Sequence, residues 1–222
     1  MLVGSASTPP AATSPSCARR ASSYGHYPQD AATFAKWKVD FLKFDNCPGC
    51  PNGADPVTLY KEMRDALNAT GREIVYSTEL MHADPSTRAI NHLTRVGSDV
   101  RGTFSSIMGE VDASNKYASI AAPGYFNDMD CLEVGIKHDT GAGLSEVEEW
   151  THMALWAMFA APLIAGNDLR RMTQSTLDIL TWKQALEVNH PARDSDPQEP
   201  FLGPKRYLLL CRKYKKICLG PR

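Results

Sequence analysis

From residue 29 onward, the sequence alternates between segments with strand patterns and segments with helix patterns. Residues 39–45 (VDFLKFD) predict a strand that a cysteine-proline-glycine loop ends. The clearest helix follows it, since Asp55 can cap it, Pro56 suits its first turn and Gly71 can stop it. Strands separated by helices at this rhythm predict an α/β fold with a parallel sheet, built from about five βα units.

The same alternation continues to about residue 189. Further strands are predicted at residues 72–79, 94–100, 124–130 and 161–169, the last of them as a buried strand. Ser145 and Glu148 have the spacing of a capping box and open a predicted helix. Residues 176–188 predict a final helix, whereas residues 103–117 are ambiguous.

Composition divides the chain into three regions. Residues 1–28 are rich in Ala, Ser, Thr and Pro and predict an irregular lead-in. Residues 29–189 form the predicted α/β body, and residues 190–222 predict an irregular tail with a basic end.

Charge and hydropathy exclude several classes of protein. The 222 residues are 43% hydrophobic and 22% charged, which is typical of a soluble globular protein with a sizeable core. The formal net charge is -1 and the basic residues are scattered, so we expect no nucleic-acid partner. No apolar run approaches the roughly 18 residues of a membrane helix, and the N-terminus lacks the apolar segment of a signal peptide, so no membrane partner is predicted. The oligomeric state stays open.

A C-x-x-C pair, Cys47 and Cys50, comes directly after the first predicted strand of the body. A structural zinc site is disfavoured because no second C-x-x-C or spaced histidine pair completes four ligands. A redox dithiol is disfavoured too, since turn residues follow the pair where a helix start would be needed to lower the thiol pKa. A thiol or metal role for this pair remains as the least favoured alternative.

Acidic residues close every predicted strand of the body. They are Asp45, Glu79, Asp99, Asp128, Asp130 and Asp168. Because strands are depleted in Asp and Glu, a chance surface distribution explains this set poorly. The carboxyl ends of parallel strands line the functional face of an α/β fold, so we expect an acidic pocket there.

Strand alternation predicts which of these residues share a face. Lys43 and Asp45 should project together, opposite Leu42 and Phe44. By the same rule Arg95, Gly97 and Asp99 should share a face, with small Gly97 leaving room between the charged ends, and Asp128 should project with Asp130.

Two cations in an acidic pocket favour the binding of a sugar over the binding of a metal ion. Lys43 and Arg95 would compete with a metal ion, so no metal and no other cofactor is predicted. Two carboxylates flanking a sugar fit better, as in retaining glycosidases, where they lie roughly 5 to 5.5 Å apart. Asp45 beside Lys43 would be held ionised as the nucleophile, which leaves Asp99 as the acid/base.

From about residue 17 to residue 189 the chain resembles the α-galactosidase and α-N-acetylgalactosaminidase family of retaining glycoside hydrolases (glycoside hydrolase family 27, melibiase-like). Five motifs in register carry this resemblance: DAATFAKWKVDFLKFDNC, ALNATGREIVYSTE, RVGSD, APGYFNDMDCLEVG and HMALWAMFAAPLIAGNDLRRM. The resemblance implies a partial (β/α)8 TIM barrel, about its last five βα units (strands 4 to 8), without the first three units and the C-terminal β-sandwich.

The resemblance also implies an activity. The family hydrolyses terminal α-linked galactose from oligosaccharides or glycoconjugates by a retaining double displacement, so the expected partner is a small-molecule carbohydrate. The alternative is a catalytically impaired carbohydrate-binding fragment of such an enzyme. A secreted or lysosomal/vacuolar location is expected from the resemblance alone.

Carried over by position, the resemblance implies a set of site residues. It gives Asp45 as nucleophile and Asp99 as acid/base, in agreement with the argument from strand ends. Further contacts to sugar hydroxyls are implied for Lys43, Glu79, Arg95 and Asp130. Glu79 stands where N-acetylgalactosaminidases carry a small residue, which favours galactose. A disulfide between Cys17 and Cys47 is implied as well.

Overall fold

The computed structural model describes residues 2–5, 22–45, 54–79, 88–122, 124–137 and 143–189. It separates into two compact units, residues 1–95 and residues 96–222, and each is described by itself. The elements of the first unit are β1 (Leu2–Ser5), α1 (Tyr27–Lys36), β2 (Phe41–Asp45), α2 (Pro56–Ala69), β3 (Val75–Thr78) and β4 (Leu93–Arg95).

The four strands of the first unit form a parallel sheet in chain order. β1 pairs with β2, β2 with β3 and β3 with β4, all in parallel. In this register Phe44 lies beside Thr78, and Thr78 beside Thr94. The predicted parallel α/β architecture is therefore confirmed for this unit.

β1 differs from the prediction, because it lies inside the stretch expected to be irregular. Its four residues pair with Leu42 to Asp45 of β2. A segment this short carries no recognisable period, so the pairing comes from the neighbouring strand rather than from local pattern. α1 also begins at Tyr27, slightly before the predicted body.

Aromatic packing on one face of the sheet forms the core of the first unit. Leu42 and Phe44 are fully buried, and Phe44 packs edge-on against the rings of Tyr27 and Tyr60. Burying side chains of this size contributes about 2 kcal/mol each. α2 covers this face and begins as predicted, with Asp55 accepting hydrogen bonds from the backbone N–H groups of Val57 and Thr58.

The second unit is mainly helical. Its elements are α3 (Phe104–Lys116), β5 (Phe126–Asp128), α4 (Glu146–Met158), α5 (Gln174–Leu180) and α6 (Lys183–Asn189). The ambiguous segment is a helix that Thr103 caps through the N–H of Ser106. The predicted capping box of Ser145 and Glu148 is confirmed at the start of α4. Trp156 lies fully buried in the core that these helices enclose.

The strand predicted at residues 161–169 was wrong. Ala165 makes only an isolated parallel bridge to Leu132, and Ile164 and Gly166 supply its two hydrogen bonds. From Pro162 onward this segment is half-buried or exposed, and Asp168 caps a 3-10 turn at Leu169–Arg171 instead of closing a strand. Pro, Gly, Asn and Asp within the segment favour turns over continuous pairing.

The final helix is broken into α5 and α6 at residues 181 and 182. Thr181 is the C-cap of α5, and its hydroxyl donates to the carbonyl oxygen of Leu177 at 2.7 Å. No helix within the described ranges is long and apolar enough to cross a membrane.

Candidate active site

Three charged residues follow one row of the parallel sheet in the first unit. The row is Phe44, Thr78 and Thr94, and the next residues along the chain are Asp45, Glu79 and Arg95. Parallel register therefore brings these three side chains to the carboxyl ends of β2, β3 and β4. The sequence-predicted residues Asp45, Glu79 and Arg95 come together for this reason.

Lys43 joins this group from β2. Leu42 and Phe44 are fully buried while Lys43 and Asp45 are half-buried, which agrees with the predicted alternation of faces. The Lys43 Nζ lies 3.1 Å from the Oε1 of Glu79. The Nη1 of Arg95, whose side chain is only 3% exposed, lies 3.8 Å from the same oxygen. One carboxylate thus faces two cations in a mostly buried setting.

The carboxyl groups of Glu79 and Asp45 also interact. Burial raises the pKa of Glu79, but a hydrogen bond with Asp45 and the charges of Lys43 and Arg95 outweigh burial and lower this pKa below its ordinary value. The two cations therefore favour the ionised form of the Glu79 carboxyl group.

Tyr60 of α2 supports Glu79, a function that the sequence analysis missed. The Tyr60 hydroxyl accepts the backbone N–H of Glu79 at 3.3 Å. The Tyr76 hydroxyl in turn donates to the Tyr60 carbonyl oxygen at 3.3 Å. In the sequence Tyr60 fits the apolar face of α2. Only the rule that a buried tyrosine hydroxyl needs a hydrogen-bond partner could have indicated that Tyr60 binds a polar group.

A buried polar cluster lies behind the charged row. The side-chain amide of Asn91 donates to the hydroxyl oxygen of Thr94 at 2.8 Å and also donates to that of Thr78. All three side chains are buried. Because Thr78 and Thr94 immediately precede Glu79 and Arg95, this cluster holds β3 and β4 together at the ends that carry these two charged residues.

Asp99 belongs to the second unit and lies in a loop. β4 ends at Arg95, so the strand alternation predicted to extend through Gly97 to Asp99 was wrong. Asp99 is exposed. The room expected at Gly97 is occupied, because a Cβ atom there would collide with the carboxyl group of buried Glu110.

Asp128 and Asp130 of the second unit accept hydrogen bonds from backbone N–H groups. Asp128 is the last residue of β5, and its Oδ1 accepts the N–H of Asp130 at 2.8 Å. The Asp130 Oδ1 accepts the N–H of Cys131 at 2.8 Å, and its Oδ2 accepts that of Val100 at 3.0 Å. Asp130 has a φ of 70°, so the predicted strand alternation of the two acids ends at Asp128.

Cys131 is the cysteine that the described ranges contain, and it forms no disulfide. Burial and the charges of Asp130 and Glu133 raise the pKa of its thiol to about 12, which makes it a poor nucleophile. Cys17, Cys47 and Cys50 lie outside the described residues, so the disulfide stays a prediction. In the part of the chain that the structure describes, no group of three or more His, Cys, Asp or Glu could hold a metal ion.

A parallel sheet with acids and bases at its carboxyl edge defines a protein of the α/β class with a polar site suited to a hydroxyl-rich ligand. The family model described as "Alpha galactosidase A" (Melibiase_2) matches residues 11–191, most of the chain. The chain belongs to this α-galactosidase (melibiase) family of glycoside hydrolases.

Curated relatives include α-galactosidases of plants, bacteria and animals. The chain is 39% identical over 170 residues to "Alpha-galactosidase 2" of Arabidopsis thaliana, which covers 75% of this chain and 41% of the relative. It is 38% identical to "Alpha-galactosidase A" of Cellvibrio japonicus, over 78% of this chain and 44% of the relative. The human "Alpha-galactosidase A" is also 38% identical, over 78% of this chain and 42% of its own length.

Solved structures share the fold. The α-galactosidase of Saccharomyces cerevisiae matches 84% of this chain and 45% of its own with a TM-score of 0.71 and 29% identity. The α-galactosidase I of Mortierella vinacea matches 84% of this chain and 51% of its own with a TM-score of 0.69 and 30% identity. The chain thus spans about two fifths of the length of the curated relatives above.

Proposed function

We propose that this chain carries the catalytic pair of a retaining glycoside hydrolase that removes terminal α-linked galactose. One observation carries the proposal: Asp45, Glu79, Arg95 and Lys43 meet at the carboxyl ends of three parallel strands. The names of the curated relatives support this substrate class, as does a yeast relative whose structure was solved with raffinose.

In the proposed reaction Asp45 and Asp99 have separate tasks. The Asp45 carboxylate attacks the anomeric carbon and forms a glycosyl ester while the bond to the leaving oxygen breaks. Asp99 donates its proton to that oxygen, then takes a proton from the water that hydrolyses the ester. Two inversions retain the configuration of the sugar.

The hydrogen bond between Asp45 and Glu79 bears on substrate binding. Asp45 attacks only as a carboxylate, so it must be released from its hydrogen bond with Glu79 when it reacts. A sugar hydroxyl that donates to Glu79 would replace this bond, and Lys43 and Arg95 would stabilise the resulting charges. We propose Lys43, Glu79, Arg95 and Asp130 as the groups that contact sugar hydroxyls, with Glu79 favouring galactose.

The proposal also includes the barrel architecture and the cellular location of the protein. We propose that the chain supplies about the last five βα units (strands 4 to 8) of a (β/α)8 barrel, the last of them without a continuous strand at residues 161–169, and that the protein is secreted or lysosomal/vacuolar. Shared α/β architecture with the yeast and Mortierella enzymes supports the first of these. The second rests on family membership.

Hydrolysis of nitrophenyl α-galactoside by the purified chain tests the proposal. Asp45→Asn should lower kcat/KM by about 10⁴-fold or more, because the nucleophile is lost. Asp168→Asn is the matched control, since Asp168 is an exposed acid paired with Arg170, and it should leave kcat/KM unchanged. Equal activity of the two variants would refute the role of Asp45.

Two further measurements separate hydrolysis from binding. A fluorosugar that traps the glycosyl ester should add its mass to a peptide containing Asp45, and NMR of the first product should show retained α configuration. If galactose raises Tm without any turnover, the protein is a sugar-binding relative instead. A panel that includes β-L-arabinopyranoside, the substrate class named for a Geobacillus relative, tests the preference for galactose.

A further inference from the structure

We infer that Trp156 and Asp130 are positioning residues that hold the loop carrying Asp99. The inference rests on the proposed acid/base role of Asp99. It gives Asp130 a second role besides contact with the sugar. It also gives a role to Trp156, a core residue on α4. All the groups involved lie in the second unit.

The first link joins Asp130 to the neighbour of Asp99. The Oδ2 of Asp130 accepts the backbone N–H of Val100 at 3.0 Å, across thirty residues of sequence. Val100 is buried while Asp99 is exposed, so this bond anchors the loop immediately beside the acid. A carboxylate acceptor makes the bond about twice as strong as a neutral one.

The second link fixes Asp130 itself. Its φ of 70° lies in the left-handed region, which L-residues other than Asn and Asp rarely adopt. Both of its backbone polar groups are bonded in this conformation: Asp128 accepts its N–H at 2.8 Å, and the indole N–H of Trp156 donates to its carbonyl oxygen at 2.9 Å. These bonds decide where the Asp130 carboxylate points.

The third link fixes Trp156. Its side chain is fully buried, and the ring of His152 lies perpendicular to it with centroids 4.0 Å apart. The Nε2 of His152 accepts the backbone N–H of Glu133 at 3.0 Å. α4 therefore holds the segment from Asp130 to Glu133 at two points, and the connection continues from Trp156 through Asp130 to Val100.

This arrangement predicts a specific defect when the indole N–H is removed. Asp99 would be held less firmly, so proton donation to the leaving oxygen would slow while attack by the nucleophile would not. Substrates with a poor leaving group need that proton, whereas dinitrophenolate leaves without it. A general loss of stability would instead affect both substrates equally.

Trp156→Phe tests this, with Trp150→Phe as the matched control. Trp150 lies on the same helix, and its ring packs on Trp182 at 5.1 Å. In Trp156→Phe, kcat/KM for methyl α-galactoside should fall about tenfold, the value of one hydrogen bond, and less than about twofold for 2,4-dinitrophenyl α-galactoside. Equal losses on both substrates, or the same split in Trp150→Phe, would overturn the inference.

Asp99→Ala separates this inference from the proposed function. If Asp99→Ala lowers kcat/KM equally for methyl and 2,4-dinitrophenyl α-galactoside, the acid/base role of Asp99 fails. If Asp99→Ala lowers kcat/KM mainly for methyl α-galactoside and Trp156→Phe does not, only the positioning role of Trp156 fails.

Amide hydrogen exchange provides a readout that needs no turnover. In Trp156→Phe the Val100 amide should exchange about tenfold faster than in Trp150→Phe. The amide of Ile120, bonded to the carbonyl oxygen of Tyr117 at 2.9 Å and outside this segment, should exchange at the same rate in both variants. Unchanged exchange at Val100 would overturn the inference even for a chain without activity.

Discussion

The two units hold their acidic residues in different ways. In the first, Glu79 is balanced by the side-chain cations of Lys43 and Arg95 and forms a hydrogen bond with Asp45. In the second, Asp128 and Asp130 accept backbone N–H groups. The contacts of Glu79 are with charged groups, whereas a backbone N–H needs only an oxygen acceptor, so we expect replacement of the carboxylate by an amide to harm the first arrangement more.

Glu79→Gln should produce the largest effect. It removes the negative charge that Lys43 and Arg95 share in a mostly buried site, and we expect the free energy of unfolding to fall by about 3 kcal/mol. Urea denaturation measures this loss. Glu73→Gln changes an exposed glutamate just before β3 and should cost less than about 0.5 kcal/mol. Similar losses in both variants would argue against a charge-dependent site.

His152 should make stability fall in acid. Burial lowers its pKa from 6.5 to about 3, so below pH 6.5 the unfolded chain binds a proton that the folded chain does not. The stability from neutral His152 is complete above pH 6.5 and is lost as pH falls towards 3. Between pH 8 and pH 5 the loss is about 2 kcal/mol.

Denaturation at several pH values checks this effect. His152→Gln should flatten the pH dependence while lowering stability overall. His26→Gln, at an exposed position, should retain it. An unchanged slope in His152→Gln would show that other groups cause the acid sensitivity.

Asp128 tests the backbone-bonded arrangement. Asp128→Ala leaves the N–H of Asp130 without this acceptor and should cost about 1 to 2 kcal/mol. Asp128→Asn retains an oxygen acceptor and should cost less than half as much. Thermal unfolding of the pair compares them directly, and equal losses would show that the charge of Asp128 matters more than its geometry.

The smallest effect is expected at the start of α4, the helix that carries Trp156 and His152. Ser145→Ala breaks the capping box with Glu148 and should cost about 1 kcal/mol. Because the cap lies at the opposite end of the helix from Trp156, kcat should not change. A tenfold drop in kcat would show that the whole helix, and not its last turn alone, positions the site.

Local chemistry decided which elements could be predicted. The start of α2 and the capping box of α4 follow from side chains within three residues of each other. The apolar run before Asp168 resembled a buried strand, yet too little of the neighbouring chain pairs with it, so Asp168 lies outside the group of strand-end acids. Strand pairing is a long-range property that composition cannot specify.

In the candidate site, too, contacts set by local sequence could be predicted and long-range contacts could not. Asp45 and Glu79 could be grouped because they were predicted to close parallel strands, and Lys43 and Arg95 could be added by strand alternation. The bonds from Tyr60 to Glu79 and from Trp156 to Asp130 join residues far apart in sequence. Both residues fit an apolar helix face, and their polar atoms find partners only after the chain has folded.

The row that ends in Asp45, Glu79 and Arg95 also restricts where this chain can change in length. A one-residue deletion within β2, β3 or β4 would turn that strand's charged residue to the opposite face and break the row. Insertions outside the strands leave this register unchanged. Length variation among working versions of this sequence should therefore be confined to the segments outside these strands.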